Sequence, residues 1–284
     1  MMAGLLMVVG GAAAGAFGSL LGLGGGVLIV PLLTLGFGLP LREAVGVSLV
    51  SVIVTSSAAA GVFLERHVAN LRLGMTLELF TATGALVGGL IAFALPERVL
   101  AGLFSLLLAY TAIVMLRRAI PRRTPSGAPA LAGAGADAPR PAPVDGDGPG
   151  TGFVSTLGGP DYRVRRFPFG IVGSVFAGLV SALLGVGGGI VKVPLMNLAM
   201  GVPMRVATAT SNLMIGITAS ASAIVYFVRG GIDPYVAAPT AIGVYLGAAA
   251  GSRLAHRVDA RVLRALFIVV LAYTAWQMGS KALA

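Results

Sequence analysis

Cysteine is absent from the 284 residues, histidine occurs twice and tryptophan once. Without cysteine, this chain alone cannot build a disulfide framework, a thiolate metal site or an iron–sulfur cluster. His67 and His256 are too few for a histidine metal centre, and both stand near arginines, as interfacial residues do. Charge is the larger deficit. Only 11% of residues are charged, where soluble domains carry about 25%. So few charges would leave a water-facing surface of this size uncovered. With 57% hydrophobic residues and a mean hydropathy of +0.94, lipid is the expected solvent for much of it.

Acidic residues are scarce, 10 against 20 Lys and Arg, for a net charge of +10. The basic residues fall between apolar segments. Positive-inside topology and contact with anionic headgroups explain them, and no nucleic-acid partner is expected. No basic residue precedes Arg42. A secretory signal needs a basic n-region, so the opening apolar stretch reads as a retained first span. No metal-ligand cluster, catalytic constellation or Walker motif occurs. Gly22-Leu23-Gly24-Gly25-Gly26 follows no strand and opens no βαβ unit, which removes the dinucleotide-binding reading. Neither an enzyme nor a cofactor is expected.

Eight apolar segments have the length of membrane-crossing helices, at 3–21, 44–64, 73–95, 98–116, 168–186, 206–228, 235–252 and 262–279. Two shorter apolar stretches, 26–38 and 189–201, follow glycine clusters. Residues 119–166 hold eight prolines among Gly, Ala and charges and have little to bury. They read as a flexible, mostly disordered, water-exposed linker.

The halves on either side of the linker are duplicates. At an offset of 163, Gly15 through Gly26 falls on Gly178 through Gly189, Pro31 on Pro194, Pro40 on Pro203, Arg42 on Arg205 and Ser48 on Ser211. Thr55 then meets Thr218, Gly88 meets Gly251, and Tyr110-Thr111 meets Tyr273-Thr274. With four spans per half the repeats would be parallel, and Arg253, Arg257, Arg261 and Arg264 would lie opposite the basic linker. With the short stretches counted as well, each half crosses five times and the repeats are inverted. Arg66, Arg72, the linker arginines, Arg205 and the Arg253–Arg264 group then share one side, leaving Arg42, Arg98, Arg229 and Lys281 on the other. The expected fold is an all-α polytopic membrane protein. A first repeat (1–118) and a second (167–284) each have four long helices plus a short or broken segment after a Gly-rich break. The linker is expected to be cytoplasmic, the termini outside, and the membrane a bacterial-type inner membrane.

Gly24, Gly25 and Gly26 interrupt an apolar helix where Gly187, Gly188 and Gly189 do in the other half, and Pro31 and Pro194 follow. Irregular backbone inside a membrane is tolerated where it is buried in protein or lines a cavity. Paired breaks point to a transporter's binding site. Close packing through small residues is the structural alternative. After each break runs a helix with hydroxyls on one face: Ser48, Ser51 and Thr55, then Ser211, Thr218 and Ser222. They can bind an oxyanion or bond back to their own helix. Asn212 beside them wants a partner at lipid depth. Lys192 is a cation within an apolar run and is read as functional, with snorkelling to the interface as the alternative. Arg42 and Arg205 stand at helix entrances, read as anchors more than as an anion funnel. Glu78 is read as interfacial, with a coupling-proton role as the lesser reading.

The pattern GxGGGxxxVPxL at Gly22–Leu33, its second copy at Gly185–Leu195, and the Pro-x-Arg-x-x-Ala…Ser runs at Pro40–Ser48 and Pro203–Ser211 resemble the TauE/SafE family of sulfite-exporter-like permeases. The resemblance covers nearly the whole chain except the linker. It implies a transporter of sulfite, organosulfonates or related small anions, with the glycine breaks and the Ser48 and Ser211 regions as its site. Alternating access by rocking of one repeat against the other is the expected mechanism. An anion-selective channel, or a membrane scaffold or enzyme handling sulfur compounds, are the rival readings.

Overall fold

A computed structural model describes residues 2–21, 26–65, 69–119, 162, 164–254 and 260–283. Ten helices account for most of them: α1 (Met2–Leu21), α2 (Gly26–Pro31), α3 (Leu41–Glu65), α4 (Leu71–Ala94), α5 (Glu97–Ala119), α6 (Phe167–Leu184), α7 (Gly189–Pro194), α8 (Met204–Val228), α9 (Pro234–Leu254) and α10 (Ala260–Leu283). Every long apolar segment read from the sequence is a helix. Among the described residues, Leu71–Ala94, Glu97–Arg117, Phe167–Leu184 and Met204–Val228 are long and apolar enough to cross a membrane. Their lipid-type surfaces include exposed Leu79, Leu106, Val172 and Phe227.

The short stretches take a definite form. α2 runs into a π-helical turn at Leu32–Gly36, and α7 into one at Leu195–Ala199. Pro31 and Pro194 stand directly before these turns with helical φ of −61° and −59°. A proline inside a helix has no N–H to donate and crowds the carbonyl four residues back, so the helix widens there. Each short segment returns along the helix before it. Gly10 of α1 lies against Leu32; Gly188 lies against Ser181 of α6, and Gly173 and Gly170 of α6 lie against Leu195 and Met200. α6 and α7 therefore form a helical hairpin that turns at the second glycine break, and α2 likewise packs back against α1.

The two halves interlock. α1 packs on α9, and α6 packs on α4, its counterpart in the exchanged sense. These contacts are backbone to backbone. A Cβ on Gly15 would lie 2.2 Å from the Val244 carbonyl oxygen, and one on Gly178 would lie 2.0 Å from that of Thr81. A Cβ on Gly84 would lie 2.1 Å from the Val175 oxygen, and one on Gly247 would lie 1.9 Å from that of Ala12. Each of these contacts maps onto its mate at the same sequence offset that aligns the halves. The glycines are spaced Gly11-xxx-Gly15, Gly84-xxx-Gly88 and Gly243-xxx-Gly247, the small-residue spacing that lets membrane helices approach closely. Two bundles result, one of α1, α2, α3 and α9, the other of α4, α6, α7 and α8.

The bundles meet where α3 crosses α8, and α5 pairs with α10. Both of these pairs run antiparallel. Gly46 meets Gly231 while Ser56 meets Asn212, and Gly102 meets Ala282 while Ser105 meets Ala275. The linker's flexible stretch, expected at 119–166, lies almost entirely outside the described residues, as do His67 and His256. Its far end is packed: Val164 is buried with Leu73, Leu77, Met196 and Met200, and Tyr162 packs beside them.

The glycine contacts predict a sharp positional effect. Gly178→Leu should destabilise the purified protein by at least ~2 kcal/mol, since overpacking against backbone has no rotamer escape. Gly4→Ala, where a Cβ meets nothing within 4 Å, should leave the melting temperature in detergent unchanged. Equal melting temperatures for the two would refute the backbone contact.

Candidate functional site

The two breaks lie side by side. Gly26 opens α2 after the first break, and Gly185 closes α6 in the left-handed conformation (φ 67°) before the second. A Cβ on Gly26 would sit 2.9 Å from the Gly185 carbonyl oxygen. Ser48 of α3 joins them. Its hydroxyl lies 2.8 Å from the Gly185 carbonyl and 3.2 Å from that of Gly26. Gly187 and Gly188 continue with φ of 79° and 73°, a conformation glycine adopts without strain. Gly24 and Gly25 lie outside the described residues.

Just past the second break is a buried ionic triad. Lys192 of α7, 1% exposed, donates from Nζ to Glu78 Oε2 at 3.0 Å and to Thr218 Oγ1 at 2.6 Å. The Thr218 hydroxyl in turn donates to Glu78 Oε1 at 2.6 Å. Three helices supply these groups, α4, α7 and α8, and all three belong to one bundle. An ammonium has three donors. Two of them have partners here, so one is left without. The repeat mate of Lys192 is Ile29 in the first half, and that of Glu78 is Ala241 in the second. The symmetry-related position therefore holds two apolar residues in place of the charge pair.

Glu78 is a correction. Read as interfacial, it is 4% exposed and ion-paired inside the protein. Its place near the start of α4 misleads because α6, α7 and α8 cover that turn. Lys192 does not snorkel; its charge is met by Glu78.

The hydroxyl stripes divide. Ser51, Thr55 and Ser222 bond back to carbonyls of their own helices. Ser211, the mate of Ser48, is 1% exposed and its Oγ has no hydrogen-bond partner. It lies 3.6 Å from where a Cβ on Gly189 would be. Ser181 of α6 is likewise buried without a partner, against Gly188, whose Cβ position is also 3.6 Å from Lys192 Cε. A buried hydroxyl left unsatisfied costs about 1–3 kcal/mol. Two of them therefore flank Gly188 and Gly189 beside a cation with a spare donor. Glu78 was read from the sequence as interfacial first and as a proton carrier second, and Ser181 was not singled out. Ser181 was detectable as a serine on the helix face leading into the break.

Other residues of the predicted site lie elsewhere. Asn212 is half-buried, its carbonyl accepts from Ser56, and its carboxamide makes no hydrogen bond. At the α3–α8 crossing near its backbone, a cleft of about 300 Å³ is lined by Ile53, Ser56, Ser57, Leu213, Gly216, Ile217 and Ser220. That cleft is on the opposite side of α8 from Thr218. Arg42 donates to the Ala92 and Leu95 carbonyls at the C-terminal end of α4 and lies over the Phe93 ring, so it caps a helix. Arg205 is exposed at the start of α8. Among the described residues no cluster of His, Asp or Glu could hold a metal ion.

Residues 7–278 match the family described as Sulfite exporter TauE/SafE. The chain belongs to that family. It is 22% identical to the probable membrane transporter protein YunE of Bacillus subtilis (strain 168), over 95% of both chains. It is 28% identical to the probable membrane transporter protein MamO of Magnetospirillum gryphiswaldense, over 94% of this chain and 43% of that one. It is 30% identical to Sulfite exporter TauE/SafE family protein 6 of Arabidopsis thaliana, over 40% of this chain and 26% of that one. No solved structure matches it significantly. Family and helices together make it a multi-pass membrane transporter and not an enzyme.

The triad makes a stability prediction. Removing one partner of a buried ion pair typically costs about 3–5 kcal/mol, whereas replacing both by apolar groups is far milder. Glu78→Ala should lower the melting temperature of the transporter strongly, and adding Lys192→Met should restore most of the loss. Additive losses would show that the pair is not coupled.

Proposed function

We propose that this transporter is a secondary carrier of sulfite or a related small sulfur-containing anion such as an organosulfonate, moving it out of the cell by alternating access. The observation that carries this reading is the buried Lys192 with a spare donor, set beside the unpartnered hydroxyls of Ser181 and Ser211 at the second glycine break. An oxyanion needs such an array: one cation to meet its charge and several donors for its oxygens. Thr218 and the backbone N–H groups of Gly188 and Gly189 add to it. Ser48 and Gly26 then hold the facing break in register.

The repeats are read as inverted across a bacterial-type inner membrane, with the termini outside and the basic linker cytoplasmic. The antiparallel course of α3 against α8 and of α5 against α10 supports this, because those helices are repeat mates. The charge distribution agrees with it. The moving bodies follow from the packing. Sequence halves that interlock through α1–α9 and α4–α6 do not separate, so the bundles rock against one another at the α3–α8 crossing. Ser48 then makes and breaks its bond to the Gly185 carbonyl during the cycle.

Calorimetry on the purified protein tests the substrate class. Sulfite or a small sulfonate should bind, sulfate should bind more weakly, and Lys192→Ala should weaken binding by at least ~10-fold, the scale of one lost charged hydrogen bond. Unchanged affinity in a folded Lys192→Ala protein would remove the ammonium from the site. Gly188→Leu, which places a side chain in the left-handed region between Ser181 and Lys192, should abolish transport in proteoliposomes.

A further inference from the structure

We propose that Glu78 is the proton-coupling carboxylate: an anion that binds at Lys192 takes up one proton onto Glu78, so that the carrier moves a monoanion and a proton together without net charge. This rests on the anion reading above and names its coupling ion and its charge class.

Charge must balance in a place that water does not reach. In the unloaded protein Lys192 and Glu78 neutralise one another at 3.0 Å, at 1% and 5% side-chain exposure. An anion that approaches the spare donor of Lys192 comes close to the Glu78 carboxylate, which holds the same ammonium. Two like charges about 4 Å apart in a partly screened interior weaken binding by roughly a thousandfold. Among the described residues no other cation lies beside the pair to offset this. α6 has no titratable residue between Phe167 and Leu184. On α8, Arg205 is exposed at one end, and Tyr226 near the other donates its hydroxyl to the Ala182 carbonyl. Arg72 on α4 itself is exposed. A proton is the remaining compensation, and Glu78 is the acceptor in place to take it.

With that proton, the loaded site holds an ammonium, a monoanion and a neutral carboxyl. Unloaded, it holds an ammonium and a carboxylate. Both states carry zero net charge, and these are the two states that must change exposure across the low-dielectric core. Thr218 suits the switch. A hydroxyl can donate to the carboxylate, or turn to its own-helix acceptor, the Met214 carbonyl at 3.0 Å, when the carboxyl becomes protonated. The symmetry-related position holds Ile29 and Ala241 and no such pair, so a cycle carries one coupling proton.

The test is calorimetric binding of methanesulfonate to the full-length protein at one pH in two buffers of different ionisation enthalpy. This anion stays singly charged near neutral pH, so any proton taken up belongs to the protein. Wild type should take up about one proton per anion bound, and its affinity should fall by about tenfold per pH unit above neutrality. Glu78→Gln, which imitates the protonated carboxyl, should bind without proton uptake and without that pH dependence. Binding by wild type with no proton uptake overturns the coupling and leaves the anion site standing. The same uptake in wild type and Glu78→Gln assigns the proton elsewhere and also overturns it. If folded wild type binds neither methanesulfonate nor sulfite, the anion reading and the coupling both fall. The wild-type measurement decides whether a proton is coupled even if Glu78→Gln does not fold.

Discussion

Close contact between helix backbones is the constraint on which this structure rests. Lipid offers helices no hydrophobic reason to associate, so association depends on packing and on small residues that allow it. Gly15, Gly84, Gly178 and Gly247 bring α1 to α9 and α4 to α6 with carbonyl oxygens where a Cβ would otherwise be. Each contact joins one half of the duplicated chain to the other. The α6–α7 hairpin, the α3–α8 crossing and the position of α7 against α4 all follow from that interlock.

Within this symmetric frame the chemistry is one-sided. Ser48 and Ser211 are mates, yet one ties the two breaks together and the other has no partner. Thr55 and Thr218 are mates, yet Thr55 bonds back to its helix while Thr218 stands between a lysine and a glutamate. Duplication supplies the scaffold, two equivalent helix pairs and two equivalent bundles. One residue from each copy then makes a charge pair, Glu78 with Lys192, where the symmetry-related position keeps Ile29 and Ala241. One bundle carries the ionic groups, and the other carries the serine that closes against it.

Much of the frame was legible in the sequence because lipid leaves a coarse signature. Long apolar runs became helices, and the prolines after the glycine clusters marked the π-helical turns. The offset that aligns the halves also relates their packing contacts. Depth was not legible. Glu78 lies two turns into α4, which along one strand of sequence looks close to water; its burial depends on α6 and α7, more than eighty residues away. Its partner Lys192 was identifiable as an unusual cation, but nothing local to either residue names the other. The hydroxyl stripes were ambiguous for a similar reason. A serine that bonds to its own helix and one that faces another element have the same spacing, and only packing separates Ser51 from Ser48.

The interlock also bears on how the protein is made. α1 leaves the ribosome well before α9, whose surface it fits and which follows more than two hundred residues later. Until then its glycine face has only lipid or the insertion machinery beside it. α4 waits for α6 in the same way, across the linker. Contacts this far apart in the chain close slowly and late. The first half on its own is thus a set of inserted helices with two unmatched faces, and the bundle carrying Lys192 and Glu78 takes shape only after both halves are in the membrane.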